Sequence, residues 1–157
     1  MPDSVDDFDG RWRVRRFRSL RGVGAARGRL TLTATTPDAP DARELAQFYL
    51  RLLGWRTRKE EPDWVEIASP DGTAGLSFRT EPLFERPQWP SRGSGQQMMM
   101  HLDIEVNDLT SAADHALAPG ATVADFQPQA DVRVLCDPAG HPFSSSCARA
   151  RRADLCR

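Results

Sequence analysis

Met99-Met100-His101-Leu102-Asp103-Ile104-Glu105-Val106-Asn107-Asp108 alternates apolar and polar side chains, then halts at an acidic residue. Period-two alternation reads as a strand with one face packed and one face wet. Leu102, Ile104 and Val106 make the packed face, and His101, Asp103 and Glu105 make the other. Asp108 then caps a helix carrying Leu109, Ala112, Ala113, Ala116 and Leu117, which Pro119-Gly120 ends. Short extended pieces follow at Thr122–Phe126, Val132–Cys136 and Pro142–Ser146, the last two joined by the turn Asp137-Pro138-Ala139-Gly140.

The first half runs in the same order. Leu30–Thr36 is β-branched and stops at Pro37, and Asp41 supplies a helix cap. Leu45, Phe48, Tyr49, Leu52 and Leu53 then recur at helical spacing until Gly54. Trp55–Lys59, Trp64–Ala68 and Gly75–Arg79 read as strands, and Glu81–Gln97 as a long Pro-rich connection. Asp41 lies 29 residues before Pro70, and Asp108 lies 30 before Pro138. The spacing predicts an α+β domain of two tandem β-α-β-β-β modules, about 30–80 and 98–147, with helices outside a curved mixed-sheet cup.

The 157 residues suit one domain, expected over 29–147, with an Arg-rich tail at 1–28 and a basic one at 148–157. Residues 1–30 carry eight Arg and four Asp; residues 31–146 carry nine basic and seventeen acidic side chains. An acidic domain between basic tails disfavours nucleic acid as the main ligand. No apolar run approaches the ~20 residues of a membrane span. Three cysteines without CxxC spacing indicate neither a disulfide framework nor a zinc site, so a reducing cytoplasm is the expected compartment.

Asp38-Ala39-Pro40-Asp41, Ala46-Gln47-Phe48-Tyr49 and Leu52-Leu53-Gly54-Trp55 together resemble the vicinal-oxygen-chelate superfamily. That superfamily includes glyoxalase I, bleomycin-resistance proteins and extradiol dioxygenases. Trp89-Pro90, Met100–Asp103, Val106–Leu109 and Asp137–Phe143 resemble its actinobacterial glyoxalase-like branch. The resemblance implies a small-molecule cup, a homodimer, and in some members a divalent metal held by His and Glu from the first and last strands of each module. By that mapping His101 matches a ligand position, while Ala34, Ser144 and either Leu76 or Ser77 occupy the others. One ligand of four is too few for a catalytic divalent ion. His101, Asp103 and Glu105 share a face but stand roughly 6.6–7 Å apart in steps, too spread for one ion.

The expectation is therefore a metal-free, cofactor-free cup that binds a small organic molecule. Trp64, Phe78, Trp89 and Phe126 are its expected aromatic wall, and His101, Asp103 and Glu105 its polar side, with His101 as the candidate catalytic residue. The alternative is an enzyme of lyase or dioxygenase type, with a rebuilt metal site or His-based acid–base chemistry. Cys136, Asp137 and His141 are close in sequence, but Asp-Pro-Ala-Gly-His reads first as a turn, with Cys136 an inert small hydrophobe.

Overall fold

The structure, a computed structural model, describes residues 32–147. The expectations for the tails at 1–28 and 148–157 lie outside the described residues. Two modules follow in order. The first comprises β1 (Asp38–Ala39), α1 (Ala42–Leu53), β2 (Arg56–Glu61), β3 (Trp64–Ala68) and β4 (Gly75–Thr80). The second comprises β5 (Asp103–Val106), α2 (Leu109–Leu117), β6 (Thr122–Val123), β7 (Val132–Cys136) and β8 (Pro142–Cys147). Each builds a four-stranded mixed sheet, ordered β1-β4-β3-β2 in one and β5-β8-β7-β6 in the other. The α+β architecture of tandem modules is thus present.

The duplication extends to register. The parallel pairs Asp38 with Arg79 and Asp103 with Ser144 both join residues 41 apart. The isolated bridge between Thr35 and Leu76 has the same offset. The Ser77 amide donates to the Thr35 carbonyl and the Ser144 amide to the Leu102 carbonyl, each at 2.9 Å. Ser77 is therefore equivalent to Ser144, and Ala34 to His101.

Both helices begin where an acidic side chain can take the orphan amides of a first turn. Asp41 Oδ1 accepts from Arg43 N–H and Glu44 N–H, and Asp108 Oδ1 from Ser111 N–H. At the end of α1, Gly54 adopts φ 65°, where a side chain would be strained, and its N–H closes on the Leu50 carbonyl. Helix α1 packs on β3 and β4, and α2 on β7 and β8. One apolar core runs through both modules, with Leu45, Phe48, Tyr49, Ile67, Phe78, Leu135 and Phe143 nearly or fully buried. Phe48 of α1 meets Phe143 of β8 with ring centroids 6.1 Å apart.

Several strands are shorter than their sequence pattern. The expected Leu30–Thr36 strand is reduced, among described residues, to the Thr35 bridge and β1. Pro37 separates them, because it accepts from Arg79 N–H but has no amide to donate. Thr122–Phe126 pairs only over Thr122–Val123. Beyond it, the Gln127 side chain stands in for a strand. Its Nε2 donates to the Ala124 and Val134 carbonyls, and its Oε1 accepts from Val134 N–H, all at 2.8 Å. Met99–Asn107 forms a ladder only over Asp103–Val106. Of the described cysteines, Cys136 is a free thiol and Cys147 is disulfide-bonded. No described helix is long and apolar enough to cross a membrane.

Candidate functional site

A cavity of about 610 Å³ opens beside β1 and the segment leading into β5. Its walls come from Thr35–Asp38, from Tyr49 on α1, from the start and end of the 81–97 connection, from Met98–Leu102, and from His141-Pro142. This volume lies in the ordinary range of small-molecule sites. Pro37, Leu83, Phe84, Pro87, Met98, Met99 and Met100 supply an apolar wall. Leu83 (86%), Met99 (81%) and Met100 (71%) are strongly exposed and give the mouth an adaptable apolar rim.

Two histidines line the cavity, and each is held by an aspartate. His101 Nε2 lies 3.2 Å from Asp103 Oδ1, and that carboxylate also accepts from Ser144 Oγ–H. His141 Nδ1 lies 3.0 Å from Oδ2 of Asp137, whose side chain is completely buried. Asp137 Oδ1 accepts from the amides of Gly140 and His141, and Oδ2 also from the Tyr49 hydroxyl at 3.1 Å. Burial, and then the Asp137 charge, push the Tyr49 hydroxyl well above its ordinary range, so it remains a neutral donor. The turn role read for Asp137 is present, and the same carboxylate also ties α1 to the second module.

The cavity is acidic. Asp38, Glu81 and Glu85 line it, and no described lysine or arginine does. Arg79 grips Asp38 through two bonds of 2.9 Å and reaches Glu81 at 3.1 Å. Glu85 has no ion pair among the described residues, so one guanidinium stands against three carboxylates.

Of the seven residues expected around a cup, only His101 lines this cavity. Phe78 is fully buried and stacks on Tyr49 at 5.4 Å, so it is core. Trp89 and Phe126 do come together, with Trp89 Nε1 donating to the Phe126 carbonyl, but neither borders the cavity. Trp64 is half-buried on β3 opposite Arg79. Asp103 reaches the site only through His101, and Glu105 is exposed. Sequence reading missed Tyr49, Phe84, Glu85 and the cavity-facing part of His141. The one available signal was Tyr49, the only tyrosine in the chain, on the buried stripe of α1.

The divalent metal that the superfamily resemblance implies does not fit these residues. Register places Ala34, Ser77 and Ser144 at the positions equivalent to ligands, beside His101. Ser77 and Ser144 are buried, and Ser144 Oγ is already donating to Asp103. Among the described residues no group of three His, Cys, Asp or Glu side chains could hold an ion. Cys136 does not make a nucleophile either. Burial raises its thiol, opposed by Arg86 and reinforced by Asp137 and Asp125, so the thiolate is disfavoured.

Comparison with known proteins agrees with this architecture. A crystal structure of a glyoxalase/bleomycin resistance protein/dioxygenase family enzyme from Burkholderia phytofirmans PsJN superposes with a TM-score of 0.54 at 18% identity. The match covers 75% of this chain and 98% of that one. A glyoxalase-related enzyme from Fulvimarina pelagi gives 0.54 at 18% identity, over 75% of this chain and 88% of that one. A glyoxalase family protein from Enterococcus faecalis gives 0.56 at 15%, over 73% and 95%. At such identities these likenesses speak for the fold alone. Comparison with curated proteins gives no match. The model of the glyoxalase-like domain family matches residues 34–145, across both modules. The duplicated β-α-β-β-β register and that match agree, and the chain belongs to the glyoxalase-like domain family within the vicinal-oxygen-chelate superfamily.

Proposed function

We propose that the cavity binds a small aromatic or apolar molecule with a cationic or hydrogen-bond-donating end, and does so without a divalent metal. The acidic mouth carries this reading. Asp38, Glu81 and Glu85 face a largely apolar chamber, and among described residues only Arg79 pairs with any of them. An anionic ligand would meet unbalanced carboxylates there, while a cation would find a partner in Glu85. Phe84 and the methionines supply the contact surface, and the two histidines supply orientation. A homodimer is the assembly this reading adopts, with Leu83, Met99 and Met100 as the exposed apolar surface beside the mouth.

Cationic and anionic sets of small aromatics, compared by thermal shift, test the ligand chemistry. Cationic members are expected to raise the melting temperature and anionic members to leave it unchanged. Glu85→Gln should weaken the cationic hits by about 1 kcal/mol, as an exposed charge partner typically does. Equal binding of both sets would refute the acidic-mouth argument.

Metal analysis of the untagged protein tests the second half of the proposal. Ni, Zn, Fe and Mn are expected far below one ion per chain. Near-stoichiometric metal that His101→Ala removes would instead favour a lyase- or dioxygenase-type enzyme with a rebuilt site.

A further inference from the structure

We propose that His141, backed by the buried Asp137 carboxylate, is a general base that takes a proton from a carbon acid held in the cavity. The proposal rests on the ligand-binding reading of the same cavity and assigns it a reaction. Four donors converge on Asp137: the amides of Gly140 and His141, the Tyr49 hydroxyl and His141 Nδ1. A carboxylate is acceptor-only, so this arrangement puts a proton on Nδ1 and leaves the lone pair of the neutral ring on Nε2. No described residue makes a hydrogen bond to Nε2, and the ring borders the cavity with its side chain 21% exposed. The Phe84 ring meets it edgewise, with centroids 5.5 Å apart. A histidine held by a buried carboxylate, with its second nitrogen left without a described hydrogen-bond partner and its ring at a cavity wall, is the arrangement general-base catalysis requires.

His101 is the weaker candidate, because its contact with Asp103 uses Nε2 and that aspartate is 74% exposed. Asp137 is completely buried and over-determined by its donors. Tyr49 is held neutral beside it, and so keeps donating while His141 changes charge.

The step transfers one proton. The Nε2 lone pair forms the new N–H bond, the ligand C–H bond breaks, and its electron pair stays on the ligand or expels a leaving group. The imidazolium so formed rests against Asp137 and then returns the proton to product or solvent. The acidic mouth favours ligands whose positive charge acidifies a neighbouring C–H.

Nitrobenzisoxazole, a neutral aromatic carbon acid, is a suitable probe. Loss of its ring proton to Nε2 turns the C–H pair into the third bond of a nitrile. The N–O bond breaks, its electron pair stays on oxygen, and the ring opens to a single coloured cyano-nitrophenolate. The wild-type protein is expected to turn the probe over at least about a hundredfold faster than His141→Gln. Its rate should rise with pH through an ionisation that His141→Gln abolishes. The groups around His141 are Asp137 on its own hairpin, Tyr49 on α1 and Arg86, which donates to the Pro138 carbonyl; His101, Asp38, Glu81 and Glu85 share the cavity. Nitrogen NMR of the wild-type ring should find the Nδ1–H tautomer, a readout independent of turnover. Binding of the probe, followed by tryptophan quenching, separates the two readings. A probe that binds but turns over equally in wild type and His141→Gln, or a ring found as the Nε2–H tautomer, overturns the base and leaves the binding reading standing. A probe that neither binds nor turns over overturns the base, while the binding reading stands or falls separately with the cationic set of the thermal-shift comparison.

Discussion

Replacing Asp137 with alanine is expected to destabilise the domain by about 3 kcal/mol or more, the cost of orphaning several buried donors at once. The Tyr49 hydroxyl, the Gly140 and His141 amides and His141 Nδ1 all lose their acceptor. Tyr49 is the most costly of these, because it is only 2% exposed. For a domain of this size the melting temperature should fall by roughly 10 °C. Asp137→Asn keeps one carbonyl oxygen and should lose less. Thermal denaturation followed by circular dichroism decides the matter, and a shift of only a degree or two for alanine would mean that the hub carries no weight. The result bears on both structure and chemistry, since the carboxylate that closes the hairpin also holds His141 at the cavity.

Phe48→Ala should cost about 3–5 kcal/mol, the usual range for emptying a buried phenylalanine site. Phe48 is fully buried, meets Tyr49 edge-on at 4.9 Å and Phe143 at 6.1 Å, and lies in the core shared by the two modules. Combining it with Phe143→Ala should be clearly less destabilising than the two separate losses added together, because both rings border one space. Denaturant titration measures this. Strict additivity would indicate that the aromatic contact does not couple the modules.

Local rules carried the fold. Asp41 and Asp108 are legible as caps because a short carboxylate before an apolar stripe satisfies first-turn amides wherever it stands. The Asp137–Gly140 turn, the alternation of β5 and the parallel spacing of the modules follow from similarly short-range chemistry. Where strand lengths came out shorter, a single group with longer reach intervened: the missing amide of Pro37 in one case, the Gln127 side chain in the other. Neither competes through periodicity, so alternation alone overestimates both strands.

The candidate site was much less legible. Alternation sorts His101, Asp103 and Glu105 to one face, but it does not say where that face ends and a cavity begins. His101 reaches the chamber while Glu105, four residues on, is exposed away from it. Aromatic residues were equally ambiguous. Phe78 reads as a pocket wall in sequence and Phe84 carries no such signal, yet Phe78 is sealed under Tyr49 and Phe84 lies at the mouth.

Composition, caps, turns and a repeated spacing were enough to establish two β-α-β-β-β modules, since those depend on residue type and local order. The cavity is a different kind of object. Tyr49 and Asp137 are 88 positions apart in the chain, and their hydrogen bond exists only because α1 of one module packs against the last hairpin of the other. That docking buries the carboxylate and turns a turn-forming Asp–His pair into a candidate base, while the β1–β4 pairing and Arg79 set Asp38 beside Glu81. Contacts between distant segments carry no periodic signature, so only the packed tertiary structure could bring them together.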